Sequence, residues 1–129
     1  MQAIGRAILL DHSPDKTWIE ALRRSVLKLG LDLECADEPH LQSVSWRDVR
    51  LVLLGSALAV NSRAIISAIS SKTKQCRIVV FSSCPSWEEA REALLAGATD
   101  YGPIPSTDSA LLSSLENALR KGISQFIGG

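Results

Sequence analysis

The chain reads as one α/β domain, a parallel β-sheet of five strands sandwiched by helices. Three observations lead there. Short apolar runs alternate with segments of helical period five times along the sequence. Three of those runs, at residues 7–10, 51–54 and 78–81, are apolar without interruption, the mark of strands buried on both faces. The 129 residues suit a single domain that buries roughly two-thirds of its unfolded surface.

The elements follow in order. Ala7-Ile-Leu-Leu10 is the first strand, ended by Asp11-His-Ser-Pro-Asp15. Ser13 reads as an N-cap with Pro14 at the first helical position, where a missing N–H costs nothing. The helix carries Trp18, Ile19, Leu22, Val26, Leu27 and Leu29 on one stripe, and Gly30 stops it. Residues 31–36 alternate apolar and acidic as a second strand, and residues 38–46 hold one short helix. Residues 49–54 form the third strand, ending in Gly55-Ser56. Asn61 or Ser62 caps a helix with Ala64, Ile65, Ala68 and Ile69 on its buried face, and residues 70–75 make a polar turn. Residues 77–81 are the fourth strand. Ser86-Trp-Glu-Glu89 has capping-box spacing, and Gly97 closes that helix. A fifth strand at 100–104 leads through Pro105 to a last helix at 108–121, with Gly122 after it. Residues 123–129 read as a frayed tail or the stump of a linker.

Composition removes several functions. Lys plus Arg and Asp plus Glu both number 14, which argues against a nucleic-acid binder driven by counterion release and against an anionic membrane surface. The apolar runs are too short to span a bilayer, and no signal-peptide layout opens the chain. Cys35, Cys76 and Cys84 match neither a zinc site nor a disulfide framework, so a reduced, cytoplasmic protein is expected.

In an open parallel sheet, ligands bind beyond the carboxyl ends of the strands. There, Ile8-Leu-Leu-Asp11, Leu51-Val-Leu-Leu54, Ile78-Val-Val-Phe-Ser82 and Ala96-Gly-Ala-Thr-Asp-Tyr101 resemble, in order and spacing, the strand ends and the Ala-Gly-Ala-x-Asp-Tyr turn of response-regulator receiver domains. The likeness runs from about residue 5 to residue 122. It implies a flavodoxin-like (βα)5 three-layer sandwich with strand order 2-1-3-4-5. In such domains an aspartate at the end of the third strand takes a phosphoryl group from a histidine kinase. Two acids after the first strand help hold Mg²⁺. A Ser or Thr after the fourth strand and a Lys before a proline after the fifth contact the phosphoryl group.

Carried over by position, most of that pattern is missing. Asp11 matches the first acid, but His12 stands where the second belongs. Gly55 falls at the acceptor aspartate, Ser82 matches the hydroxyl, and Ile104 replaces the lysine before Pro105. Glycine offers no nucleophile and isoleucine no cation, and phosphoryl transfer needs both. One carboxylate with a histidine is a poor site for the hard Mg²⁺ ion. No Asp or Glu lies between Asp48 and Glu88 to substitute. The resemblance therefore implies a degenerate receiver, or pseudo-receiver, without phospho-acceptor chemistry. It also implies a cis peptide bond between Ile104 and Pro105.

Each residue also has a plainer reading. Asp11 suits a helix N-terminus, His12 a loop, and Ser82 a strand end. Cys84 precedes a helix, where a thiolate is favoured, but no resolving cysteine is near; Cys35 and Cys76 read as small core residues. Trp18 and Trp46 read as packing residues. Arg50, Arg63, Lys72, Lys74 and Arg77 lie in an acid-free stretch that is a solvated surface or a weak anion site. Trp87 and Tyr101 fall on the surface that receivers commonly use for partners, and such aromatics anchor interfaces. The expected activity is phosphorylation-independent protein–protein interaction in two-component or phosphorelay-type signalling, without enzymatic activity, cofactor or metal. The partner is a signalling protein, an output domain or a second copy. The alternatives are a receiver that responds to phosphate through a non-standard site, and a small-molecule module binding a nucleotide or flavin.

Overall fold

The computed structural model describes residues 5–10, 16–36, 45–55, 62–73 and 76–128, with the backbone alone at 62 and 121–128. Strands β1 (Gly5–Leu10), β2 (Leu31–Ala36), β3 (Val49–Leu54), β4 (Arg77–Ser82) and β5 (Asp100–Pro103) form one sheet in the order β2-β1-β3-β4-β5. Every neighbouring pair is parallel. Helices α1 (Lys16–Lys28), α2 (Ser62–Lys72), α3 (Trp87–Ala96) and α4 (Asp108–Gly128) connect and cover them. The fold class and strand order are those expected from the sequence.

Side chains alternate across a strand, so each apolar run feeds two cores at once. Ile8, Leu10, Val52, Leu54, Ile78 and Val80 meet Ile65, Ile66, Ile69 and Ala93 of α2 and α3. On the other face Ala7, Leu9, Leu51, Leu53, Val79 and Phe81 meet Leu22, Val26, Leu111, Leu115 and Ala118 of α1 and α4. Trp18 closes that second core edge-on to Phe81, with ring centroids 5.3 Å apart. Trp46 is half-buried against the first core. Both tryptophans pack as expected.

The sheet's opposite end, where the strands begin, is tied by charge. Arg6 on β1 donates to Asp48 at 2.7 Å, to Glu34 on β2 and to the carbonyl of Ser45. The hydrogen bond from Arg6, followed by its charge, holds the Asp48 carboxyl below its ordinary value.

Several expectations are corrected. Leu27 is 53% exposed and Ser25 is buried, because the covered line of α1 runs 22, 25, 26, 29. On α2 the buried line is Ile65, Ile66 and Ile69, while Ala64 and Ala68 face out. Turning the larger side chain inward removes more apolar area from water. That helix runs on to Lys72, so the polar turn is shorter than expected. Cys35 is exposed because β2 is an edge strand whose apolar cover stops at Leu33, whereas Cys76 is buried as expected. β5 ends at Pro103, one residue early. Helix α4 continues through Gly122 to Gly128. Leu119, Ile123, Phe126 and Ile127 keep a helical apolar spacing there, and an interior glycine costs a helix only about 1 kcal/mol. No peptide bond among the described residues is cis, so Ile104–Pro105 is trans. The trans X–Pro isomer is intrinsically favoured by about 0.5–1 kcal/mol. The turn after β5 thus departs from the resemblance. The proposed caps at Ser13-Pro14 and Asn61 lie outside the described residues, as does most of the short helix expected at 38–46; residues 45–46 are irregular.

Candidate functional site

Strand order reverses between β1 and β3, and the crevice beyond their carboxyl ends is where an open α/β sheet accommodates ligands. Gly55 lies there. It is buried, and its N–H donates to the carbonyl of Leu10 at 2.9 Å, extending the β1–β3 ladder by one bond. Asp11 and His12 lie outside the described residues.

Ser82 ends β4 opposite Pro103 and is 3% exposed. Its hydroxyl oxygen accepts from the N–H of Cys84 at 3.2 Å, which turns the chain out of the strand. Ile104 is the next residue beyond Pro103, so its apolar side chain stands at the rim of the same end. Gly55, Ser82 and Ile104 therefore share one end of the sheet, as the sequence suggested. Among the described residues no three His, Cys, Asp or Glu side chains group as metal ligands. Gly55 and Ile104 bring no side-chain oxygen for Mg²⁺ either.

Tyr101 is the hub of the polar structure here. β5 presents it toward α3, half-buried against the first core. Its hydroxyl donates to Glu89 Oε1 at 2.5 Å and accepts from the N–H of Ser86 at 3.2 Å. Ser86 is the N-cap of α3, with extended backbone, and its Oγ accepts from the N–H of Glu89 at 3.1 Å. In an ordinary capping box the glutamate would reach back to the N-cap N–H. Here the phenol of Tyr101 is inserted between them and ties β5 to the start of α3. Burial raises the Tyr101 pKa most, the bond to Glu89 raises it further, and the Ser82 hydroxyl and Ser86 N–H oppose the shift in part.

Trp87 follows the cap and points outward, 75% exposed. The guanidinium of Arg91 lies 6.0 Å from its ring centre. Leu94 and Leu95 extend the exposed apolar surface. Sequence reasoning picked out Trp87 and Tyr101 but missed Glu89, Arg91, Leu94 and Leu95. The helical spacing of 87, 91 and 95 was the available signal.

The other suggestions do not converge. Arg63 is paired with Glu92 at 3.2 Å, Arg50 packs beside Gly5 at the far end of the sheet, and Lys74 lies outside the described residues. Arg50 and Arg63 therefore do not meet at one site. Cys84 is an exposed free thiol, and none of the cysteines is in a disulfide. Burial in the core pushes the Cys76 thiol up to about 11.

No protein-family model and no curated protein sequence matches the chain. Solved structures do match its fold. A response regulator from Thermotoga maritima superposes with a TM-score of 0.75 at 19% identity, over 90% of this chain and 98% of that one. An orphan response regulator of H. pylori gives 0.72 at 20% identity, over 91% and 98%. An atypical orphan response regulator, described as having a phosphorylation-independent regulatory mechanism, gives 0.70 at 22% identity, over 89% and 95%. The fold is that of response-regulator receiver domains.

Proposed function

We propose that this chain is a degenerate receiver that works in the cytoplasm by recognising another protein, without accepting a phosphoryl group. The observation that carries the reading is Gly55, buried at the strand end where a receiver needs its acceptor carboxylate. A glycine forms no acyl phosphate, and Ile104 brings no cation to neutralise one. The remaining hydroxyl, Ser82, is engaged by the Cys84 N–H. The surface beside this end is what the chain offers instead: Trp87, held at the start of α3 by the Tyr101 bridge. The atypical orphan regulator of the same fold, described as phosphorylation-independent, is a precedent for such a mode. Recognition by an aromatic anchor on a polar-rimmed surface needs no chemistry at the anchor.

An amide NMR fingerprint with Mg²⁺ and beryllofluoride, a mimic of the aspartyl phosphate, tests this. The spectrum is expected to stay unchanged. Saturable shifts at Gly55 and Ser82 would mean that the strand ends still take a phosphoryl group, and the reading would fall.

A further inference from the structure

The outer face of α3 carries an apolar row with a cation in its middle. Trp87 and Leu95 are each 75% exposed and Leu94 is 48% exposed. Trp87, Arg91 and Leu95 are spaced by four and form one ridge along the helix. Beside it runs a groove of about 270 Å³ lined by Trp87, Ala90, Arg91, Leu94 and Leu95. No carboxylate among the described residues pairs with Arg91. Glu89 takes the Tyr101 hydroxyl and Glu92 takes Arg63, and the ring of Trp87 is the group against which Arg91 rests.

We infer that this face docks an amphipathic helix of a protein partner that places a carboxylate between its apolar anchors, opposite Arg91. The inference rests on the reading of the chain as an interaction domain and names the chemistry of the partner. A partner that covers Trp87 and Leu95 cannot avoid covering Arg91, which stands between them on the same ridge. A guanidinium taken out of water without a counter-charge opposes binding, and the indole ring compensates only part of that loss. A carboxylate completes the compensation with two parallel hydrogen bonds. The helical form follows from the ridge. A row of i±4 side chains fits between the corresponding rows of another helix, crossing at about −50°. A phosphate chain is a poorer fit to the same arginine, because the chain has no net positive charge to hold a polyanion.

The test is selection from a displayed library of amphipathic helices whose central interfacial position is randomised among acidic, neutral and basic residues. The baits are the unmodified chain and its Arg91→Glu variant, each checked for a native amide spectrum. The unmodified chain is expected to enrich Asp or Glu at that position, and Arg91→Glu to enrich Lys or Arg. Exchanging peptides between the baits should weaken binding by about 30-fold or more, the loss expected when one partner of a buried charge pair is reversed. The selected peptides should shift the amides of α3. Peptides that shift α3 but show no acidic preference, or tolerate Arg91→Glu, would overturn the acidic partner and leave the interaction reading standing. Failure to enrich any helix, or enrichment of helices that leave α3 unshifted, would overturn the docking of a helix on this face, while the beryllofluoride spectrum decides the reading on which it rests.

Discussion

Replacing Tyr101 by phenylalanine keeps the ring and removes one hydroxyl, which isolates the bridge between β5 and α3. The variant leaves the Ser86 N–H without its acceptor and the Glu89 carboxylate without its donor. A neutral hydrogen bond contributes about 0.5–1.5 kcal/mol net and one to a charged group about 1.5–3 kcal/mol. Ser86 is exposed and Tyr101 only half-buried, so water replaces part of both bonds. The expected loss is therefore about 1–2 kcal/mol, below the simple sum. In urea this should lower the unfolding midpoint by roughly 0.5–1 M at an unchanged slope, because the surface exposed on unfolding is the same.

The location of the loss matters as much as its size. Hydrogen exchange at the Ser86 and Glu89 amides should accelerate in Tyr101→Phe, while the central strands β1 and β3 keep the protection set by global unfolding. Trp87→Ala is the control. It alters the same turn but removes an exposed ring, and should change stability by no more than about 0.5 kcal/mol. If Tyr101→Phe were as harmless as that control, with Ser86 exchange unaltered, the phenol would hold nothing, and the placement of Trp87 by β5 would be refuted.

Two further predictions follow from the same structure. Tyr101 is the only tyrosine in the chain, so its near-ultraviolet absorbance titrates one phenol, which should ionise above its ordinary value of 10.0. A raised folded value means that the native state holds its proton longer than the unfolded one. The contribution to stability is then complete below the unfolded value and is lost as pH rises through the folded one; ionisation at or below the ordinary value would contradict the burial and the bond to Glu89. Gly97 caps α3 at a φ of 123°, and a Cβ there would lie 3.3 Å from Ser70 Oγ. Gly97→Ala should destabilise by about 1 kcal/mol or more in the same urea experiment, and a neutral outcome would mean that the turn relaxes to a negative φ.

The strands were legible because a parallel sheet buries both faces. The whole run Leu51-Val-Leu-Leu54 is apolar, and period two then divides it between two cores without further information. Helix faces were less legible, because α1 and α2 each offer more apolar side chains than the sheet can cover. Leu27 lost its place to Ser25, and Ala64 to Ile66; which side turns inward is settled by the neighbouring helix, and one-dimensional period says nothing of that. Leu94 and Leu95 mislead in the same way: by composition they belong in a core, yet they stand exposed on the outer side of α3. The candidate site was legible where it depends on position along a strand, as for Gly55 and Ser82, and illegible where it depends on hydrogen bonds between elements. Ser86, Glu89 and Tyr101 are 12 to 15 residues apart across the bridge. The capping-box spacing revealed the cap but not the phenol inserted into it.

That insertion bounds how strongly the strand ends and the outer face of α3 can influence each other. Tyr101 adjoins Ser82 on one side and holds the residue before Trp87 on the other. Anything that alters the phenol therefore acts on the anchor through the bonds it breaks. A coupling carried by these bonds cannot exceed their net worth, about 1–2 kcal/mol, or a change of about 5- to 30-fold in affinity at the distant site. Linkage is reciprocal, so a partner that binds Trp87 only when the cap is intact stabilises the bridge by the same factor. Tyr101→Phe should then weaken a selected helix by no more than about 30-fold, and Arg91→Glu should weaken it in addition. Because one substitution acts through the cap and the other through direct contact, their effects on affinity should add in the double variant, and a departure beyond about 0.5 kcal/mol would place Arg91 within the same coupled unit as the bridge.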